Sequence, residues 1–318
     1  MFSILLLSIC LSDLLPGMTN ILITGKNSYI GNNFIRYSSY KSIKEISLID
    51  NQPEKIDFSN VDVVLHLAAI VHQSKKIPES EYFKVNRDLS IHTAIKARND
   101  GVKVFIYLST LKVYGDFNPD NLIRNENSPC FPVDSYGKSK YEAENELRKL
   151  ENRNFKVSIV RTPLVYGEDV KANMLKLIRL ADRFRILPFK GVNNKRNFTY
   201  IENLTGFIER IIETKESGVF VVMDDHAIST SELVRYLAEN LKKKICLIKL
   251  PGFLINVGRF FKPDVFDSLF GSLEVNNDKT KEILDYKPPF TTEAGLRKMV
   301  TSYLLQKNKN RIHDITNS

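Results

Sequence analysis

The chain has 318 residues, three cysteines and a formal net charge of +9. With 43% hydrophobic and 26% charged residues, it holds enough apolar material for one large core or two modest ones, which excludes a disordered chain. The charge is scattered lysine without a dense basic run, so it suits an anionic small molecule and argues against a nucleic-acid module. Cys10, Cys130 and Cys246 form no CxxC pair, and neither they nor the scattered histidines show metal-ligand spacing; no metal site or disulfide framework is predicted, as in a reducing compartment.

The chain opens on MFSILLLSICLSDLLPG, with an apolar run from Phe2 to Leu11. No Lys or Arg precedes the run, Asp13 interrupts it, and it is too short to span a bilayer. Residues 1–17 are therefore expected to be a leader outside the fold, with the natural start at Met18, and no stable membrane span is predicted. Short, β-branched strands follow at 20–24, 45–49, 61–67, 104–109 and 156–160. Helical segments at 30–37, 81–97 and 135–150 lie between them. This βαβ alternation predicts an α/β, Rossmann-type doubly wound parallel sheet. Further on, helices are predicted at 171–183, 201–214, 231–241 and 292–304, with strands at 218–223 and 245–250. These assign 18–165 to the sheet domain, with return segments near 197–225. A smaller mixed α/β lobe takes 166–196 and 226–305, and a polar, frayed tail takes 306–318.

The first motif is ILITGKNSYIG, residues 21–31. It reads as a strand, a glycine turn with Gly25, Ser28 and Gly31, and the start of a helix. Such a unit sets helix N–H groups against a pyrophosphate, and glycine permits the tight turn. Serine at 28 costs closeness, and costs more if the turn needs φ > 0 there. Asp50 ends the second strand in ISLID. A carboxylate there accepts both ribose hydroxyls and repels a 2′-phosphate, which favours NAD over NADP. In VDVVLHLAAIVH the small Ala68 and Ala69 let a cofactor lie on the backbone.

The strongest pattern is DSYGKSKYEAE. Tyr136 and Lys140 are four apart on one helix face. A nearby ammonium favours the phenolate and moves a group of ordinary pKa about 10 toward general-base range. LSTLKVYG, residues 108–115, ends the fourth strand with two hydroxyls, Ser109 and Thr110, either of which can hold a substrate oxygen against that tyrosine.

In this order the four motifs, TGKNSYIG, HLAA, STLKVYG and YGKSK, resemble those of the extended short-chain dehydrogenase/reductases, in the nucleotide-sugar epimerase/dehydratase group. The resemblance runs from Met18 to about Leu305. It implies Thr110 as the hydroxyl, Tyr136 as the acid/base and Lys140 as its ribose-binding partner. It also implies cofactor contacts at Gly25, Ser28, Tyr29, Ile30 and Gly31, at Asp50, and at Leu67, Ala68 and Ala69. Asn86, Tyr136, Lys140 and Pro163 complete the cofactor set. Substrate contacts are implied at Thr110, Tyr136, Asn173 and Arg196, the last as a phosphate partner. The sugar 4,6-dehydratases of the group carry an Asp–Glu pair after the hydroxyl residue; Leu111 and Lys112 stand there in this chain, which leaves chemistry confined to C4. The implied activity is a UDP-sugar 4-epimerase using NAD. The alternative is a 4-ketoreductase of a UDP-4-keto-6-deoxy sugar, using NAD or NADP, in polysaccharide biosynthesis; a non-catalytic NAD-sensing relative is a third reading. A cytoplasmic homodimer, paired through the helices at 81–97 and 135–150, is implied by the same resemblance.

Overall fold

The computed structural model describes residues 19–49, 51–71, 77–115 and 122–316. The chain begins β1 (Ile21–Thr24), α1 (Tyr29–Tyr37), β2 (Ile43–Ile46), β3 (Val63–His66), α2 (Glu79–Tyr82), a π-helical turn (Phe83–Asp88), α3 (Leu89–Asn99), β4 (Val104–Thr110) and α4 (Ser135–Lys149). It continues through β5 (Lys156–Thr162), β6 (Leu164–Tyr166), α5 (Ala172–Arg183), β7 (Ile186–Leu187), β8 (Phe198–Tyr200), α6 (Ile201–Thr214), β9 (Gly218–Val221) and α7 (Thr230–Asn240). It ends with β10 (Cys246–Leu247), α8 (Gly252–Phe261), α9 (Pro263–Phe270), α10 (Asp278–Leu284) and α11 (Thr292–Thr316).

Six strands form one parallel sheet in the order β2-β1-β3-β4-β5-β9. The central strands β1 and β3 are buried along their whole length because both faces of the sheet are covered there, whereas the edge strand β2 buries none of its residues. Ile21, Ile23, Val63, Leu65 and Ile106 pack into a core beneath α1 and α6. Leu22, Val64, Phe105 and Tyr107 pack into a second core with Ala94 of α3 and Leu147 of α4. Chain order reverses beside β1, so β1, β3 and β4 open a crevice at their carboxyl ends. Two small parallel pairs, β6–β8 and β7–β10, carry the chain between sheet and lobe.

Three local findings differ from the sequence prediction. The helix expected at 81–97 is broken by the π-helical turn, which rotates Asn86 to a fully buried position. The tail expected to fray from Gln306 is helical through Thr316. Gln306 bonds Asp169 and Lys307 bonds Asp182, so the side chains just past the expected end are anchored on the body of the protein. Finally, α8 and α9 form a helical hairpin where no element was expected.

Candidate active site

The glycine turn joins β1 to α1 directly over the next strand. A Cβ on Gly25 would lie 2.8 Å from the Ala68 backbone nitrogen and 2.9 Å from the Leu67 carbonyl carbon. Gly25 has φ 97°, so it needs glycine for both space and conformation. Ser28 does not carry the left-handed burden: its φ is −69° and ψ 150°, while Asn27 takes the positive φ of 61°. Serine here is the helix N-cap, accepting from the Gly31 N–H at 3.1 Å. It takes one of the N–H groups that a helix start leaves open; Tyr29 and Ile30 begin the same turn. A tight glycine turn that leads into a helix N-terminus suits a dinucleotide pyrophosphate. The side chain of Tyr29 packs away from it: a Cβ on Gly167 would lie 3.2 Å from the Tyr29 hydroxyl. The Leu67 side chain lies under Gly31. Asp50 lies outside the described residues.

His66, the first residue of HLAA, is fully buried between Thr24 and Ser90, at 2.9 Å from each hydroxyl. Burial, aided by the Lys140 charge, pushes its pKa down to about 3. It is a neutral brace between β1, β3 and α3.

Thr110 ends β4, and Tyr136 stands in the first turn of α4. Asp134 caps α4 by accepting from the Gly137 N–H at 2.6 Å, and it also pairs with Lys112. A Cβ on Gly137 would lie 2.9 Å from the Lys112 carbonyl oxygen, so glycine lets the helix press against the turn after Thr110. That contact sets the first turn of α4, which carries Tyr136, beside the end of β4, which carries Thr110.

The expected lowering of Tyr136 by Lys140 is corrected by the structure. Burial dominates and raises the phenol to about 12; the Thr110 hydrogen bond and the Lys112 charge pull it back. The Lys140 ammonium lies instead 4.0 Å from the centre of the Tyr107 ring. Lys140 is 2% exposed, and burial pushes it down to about 7 against the opposing pull of Glu144.

Beneath this pair lies a network that sequence reasoning missed. Glu144 is one more helical step along the face of Tyr136 and Lys140. It accepts from Ser109 and pairs with the buried Arg161 at 2.6 Å. Arg161 also donates to the Tyr114 hydroxyl at 2.9 Å. The spacing 136, 140, 144 was the available signal. Asn86 bonds both polar groups of the Ile70 backbone, at 2.8 and 3.0 Å, and donates to Ser139 at 3.1 Å. It ties the strand end after β3 to α4, and its carboxamide is occupied in doing so.

Thr110 and Lys112 also line a cleft of about 270 Å³ between sheet and lobe. Pro163, Asn173 and Arg196 line it too, so the structure gathers these predicted residues in one place. Asn173 is exposed in the first turn of α5, just after Ala172, whose φ of 53° is strained for a residue with a Cβ. Arg196 donates to the carbonyls of Asp267 and Gly271, at 3.1 and 3.2 Å, and so holds α9 against the cleft. Much of the remaining wall is apolar: Leu164, Met174, Leu177, Leu269 and Leu273. Leu111 is buried, so neither position after Thr110 offers a carboxylate.

Residues 21–222 match the NAD dependent epimerase/dehydratase family. A UDP-glucose 4-epimerase of Vibrio cholerae is 32% identical over 91% of this chain and 97% of its own length. An N-acetyl-alpha-D-glucosaminyl-diphospho-ditrans,octacis-undecaprenol 4-epimerase of Escherichia coli O157:H7 is 26% identical over 73% of this chain and 75% of its own. Among solved structures, the UDP-glucose 4-epimerase of Thermotoga maritima with UDP-glucose superposes with a TM-score of 0.74, at 20% identity, over 91% of this chain and 99% of that one. That likeness carries the fold.

Proposed function

The chain belongs to the NAD-dependent epimerase/dehydratase family, and from that premise we propose that it is a nucleotide-sugar 4-epimerase acting on a UDP-hexose or UDP-N-acetylhexosamine. The observation that carries the reading is the cleft wall after β4: Thr110 lines it, Tyr136 stands nearby in the first turn of α4, and the next two wall positions, Leu111 and Lys112, bear no acid. Chemistry beyond C4 needs further proton transfers, and those positions offer none.

NAD bound over Gly25 and Ala68 supplies the hydride acceptor. In this reading Thr110 orients the C4 oxygen. Tyr136 takes the 4-OH proton as C4 becomes a ketone and returns it when the alcohol re-forms. Because the phenol rests protonated near 12, the Thr110 hydrogen bond and the Lys112 charge are what this chain contributes toward the phenolate. Lys140, in its fully buried position, holds the cofactor ribose, and Asp50 takes the adenosine ribose. Asn173 and Arg196 hold the nucleotide diphosphate. The apolar wall supports epimerisation over one-way reduction, since it holds a keto ring without fixing which face it shows. Pairing of two copies through α3 and α4 in the cytoplasm belongs to the same reading.

A proton NMR time course with UDP-N-acetylglucosamine, UDP-glucose and catalytic NAD tests it. Growth of a galacto isomer to equilibrium is the expected outcome. A static spectrum, with NADH or NADPH consumed when a UDP-4-keto-6-deoxy sugar is supplied, overturns it in favour of a ketoreductase.

A further inference from the structure

A helix on a protein surface normally turns its apolar stripe inward. Helix α8 has the reverse arrangement. None of its residues is buried, and its inward side is formed by Ile255, Gly258 and Arg259. Gly258 is pressed against the Phe266 ring, where a Cβ would have no room, and Arg259 pairs with Asp267 at 2.9 Å. These contacts lock α8 onto α9, its one substantial packing partner among the described residues. The opposite side carries Phe253, Val257, Phe260 and Phe261, at i, i+4, i+7 and i+8. They are 66%, 50%, 83% and 74% exposed. A contiguous aromatic stripe turned to solvent marks a surface that something covers.

The charges around the stripe indicate what covers it. Charge is scattered over the chain as a whole, yet from Lys242 to Lys262 there are six basic residues and no acidic one. Lys249 and Lys262 flank the helix and are exposed. Lys190, Lys249 and Arg259 line a groove along its base. A second copy of the same face would bring the exposed Lys249 and Lys262 of one copy up to those of the other in a two-fold contact. An anionic phospholipid surface satisfies both features, because aromatic side chains insert at the acyl boundary while lysines meet the headgroups.

We infer that α8 is a monotopic docking element that lays the protein on an anionic membrane surface. No helix among the described residues is long and apolar enough to cross a membrane, so the contact is peripheral. Ser268 and Leu269 of α9 line the cleft, so docking brings the cleft beside the bilayer. This inference goes beyond the 4-epimerase reading and does not depend on it.

The test is co-sedimentation of the full chain with phosphatidylglycerol-containing vesicles and with pure phosphatidylcholine vesicles. The protein is expected to sediment with the first and to be released by salt. Phe260→Ser/Phe261→Ser should weaken partitioning on the order of tenfold or more. Lys249→Glu/Lys262→Glu should weaken it about tenfold or more, through charge alone. Melting temperature and NAD binding should stay unchanged in both variants. A wild-type chain that stays in the supernatant overturns the inference. So does vesicle binding that survives both substitutions, which would place the contact elsewhere, the apolar 2–11 segment included. A concentration-dependent dimer abolished by the phenylalanine changes, without vesicle binding, would assign the face to a second copy.

Discussion

On the sheet side of the cleft, each group around Tyr136 is held by a partner that is itself held. Asp134 caps Gly137, Asn86 ties Ser139, and Glu144 sits between Ser109 and Arg161. On the lobe side, Asn173 is exposed and Arg196 reaches backbone carbonyls of a hairpin whose outer helix buries nothing. The first wall is cross-braced, as proton transfer at a fixed distance requires. The second is built from partly exposed helices, as suits recognition of a substrate that must enter and leave. In the 4-epimerase reading, chemistry and recognition thus fall on a more buried wall and a more exposed one.

The largest effect that would sharpen this contrast belongs to Tyr136→Phe. Turnover should fall by about 10²–10⁴-fold, while NAD titration gives an affinity near that of the parent. Substantial remaining turnover would remove Tyr136 from the chemistry. Next comes Glu144→Gln, which strips the counter-charge from Arg161, itself only 4% exposed. A loss of about 3–5 kcal/mol in denaturant unfolding is expected; a shift below 1 kcal/mol would show that the braced wall is softer than described. For Arg196→Lys, on the other wall, KM should rise roughly tenfold with kcat held, the mark of lost substrate binding. A kcat loss with KM unchanged would break the division between walls.

The last effect is a stability gain in Lys140→Met. Folding pushes Lys140 from its ordinary 10.5 to about 7, so the unfolded chain binds more protons between those values. The destabilisation is complete below about 7 and is relieved as pH rises toward 10.5. The variant should therefore melt higher than the parent at pH 6, by up to about 7 °C for a shift of that size in a chain of this length, and the gap should close by pH 10. A gap constant with pH would mean that the ammonium is not what burial penalises.

The glycine turn was legible in the sequence, because backbone crowding dictates residue type there. Gly25 cannot carry a Cβ beneath Ala68, and the strand–turn–helix order around it has few alternatives. Ile201–Thr214, with a strong apolar face, matches its predicted bounds. What escaped had physical reasons. The sequence prediction places no element at α8, and an apolar stripe does not by itself say which way it faces. The π-helical turn interrupts a pattern that reads as continuous. Glu144 and Arg161 lie on different elements, α4 and β5, and only tertiary structure buries them together. The Ser28 question turned on φ, and Asn27 carries the positive value in its place.

The most direct test of the central claim uses UDP-N-acetylglucosamine carrying deuterium at C4, incubated with the protein and NAD in ordinary water. The account predicts that the galacto isomer forms and keeps its deuterium at C4, because that nucleus leaves and returns as hydride while only the hydroxyl proton passes through Tyr136. Loss of the label to water, or consumption of a keto sugar without isomer formation, would contradict it.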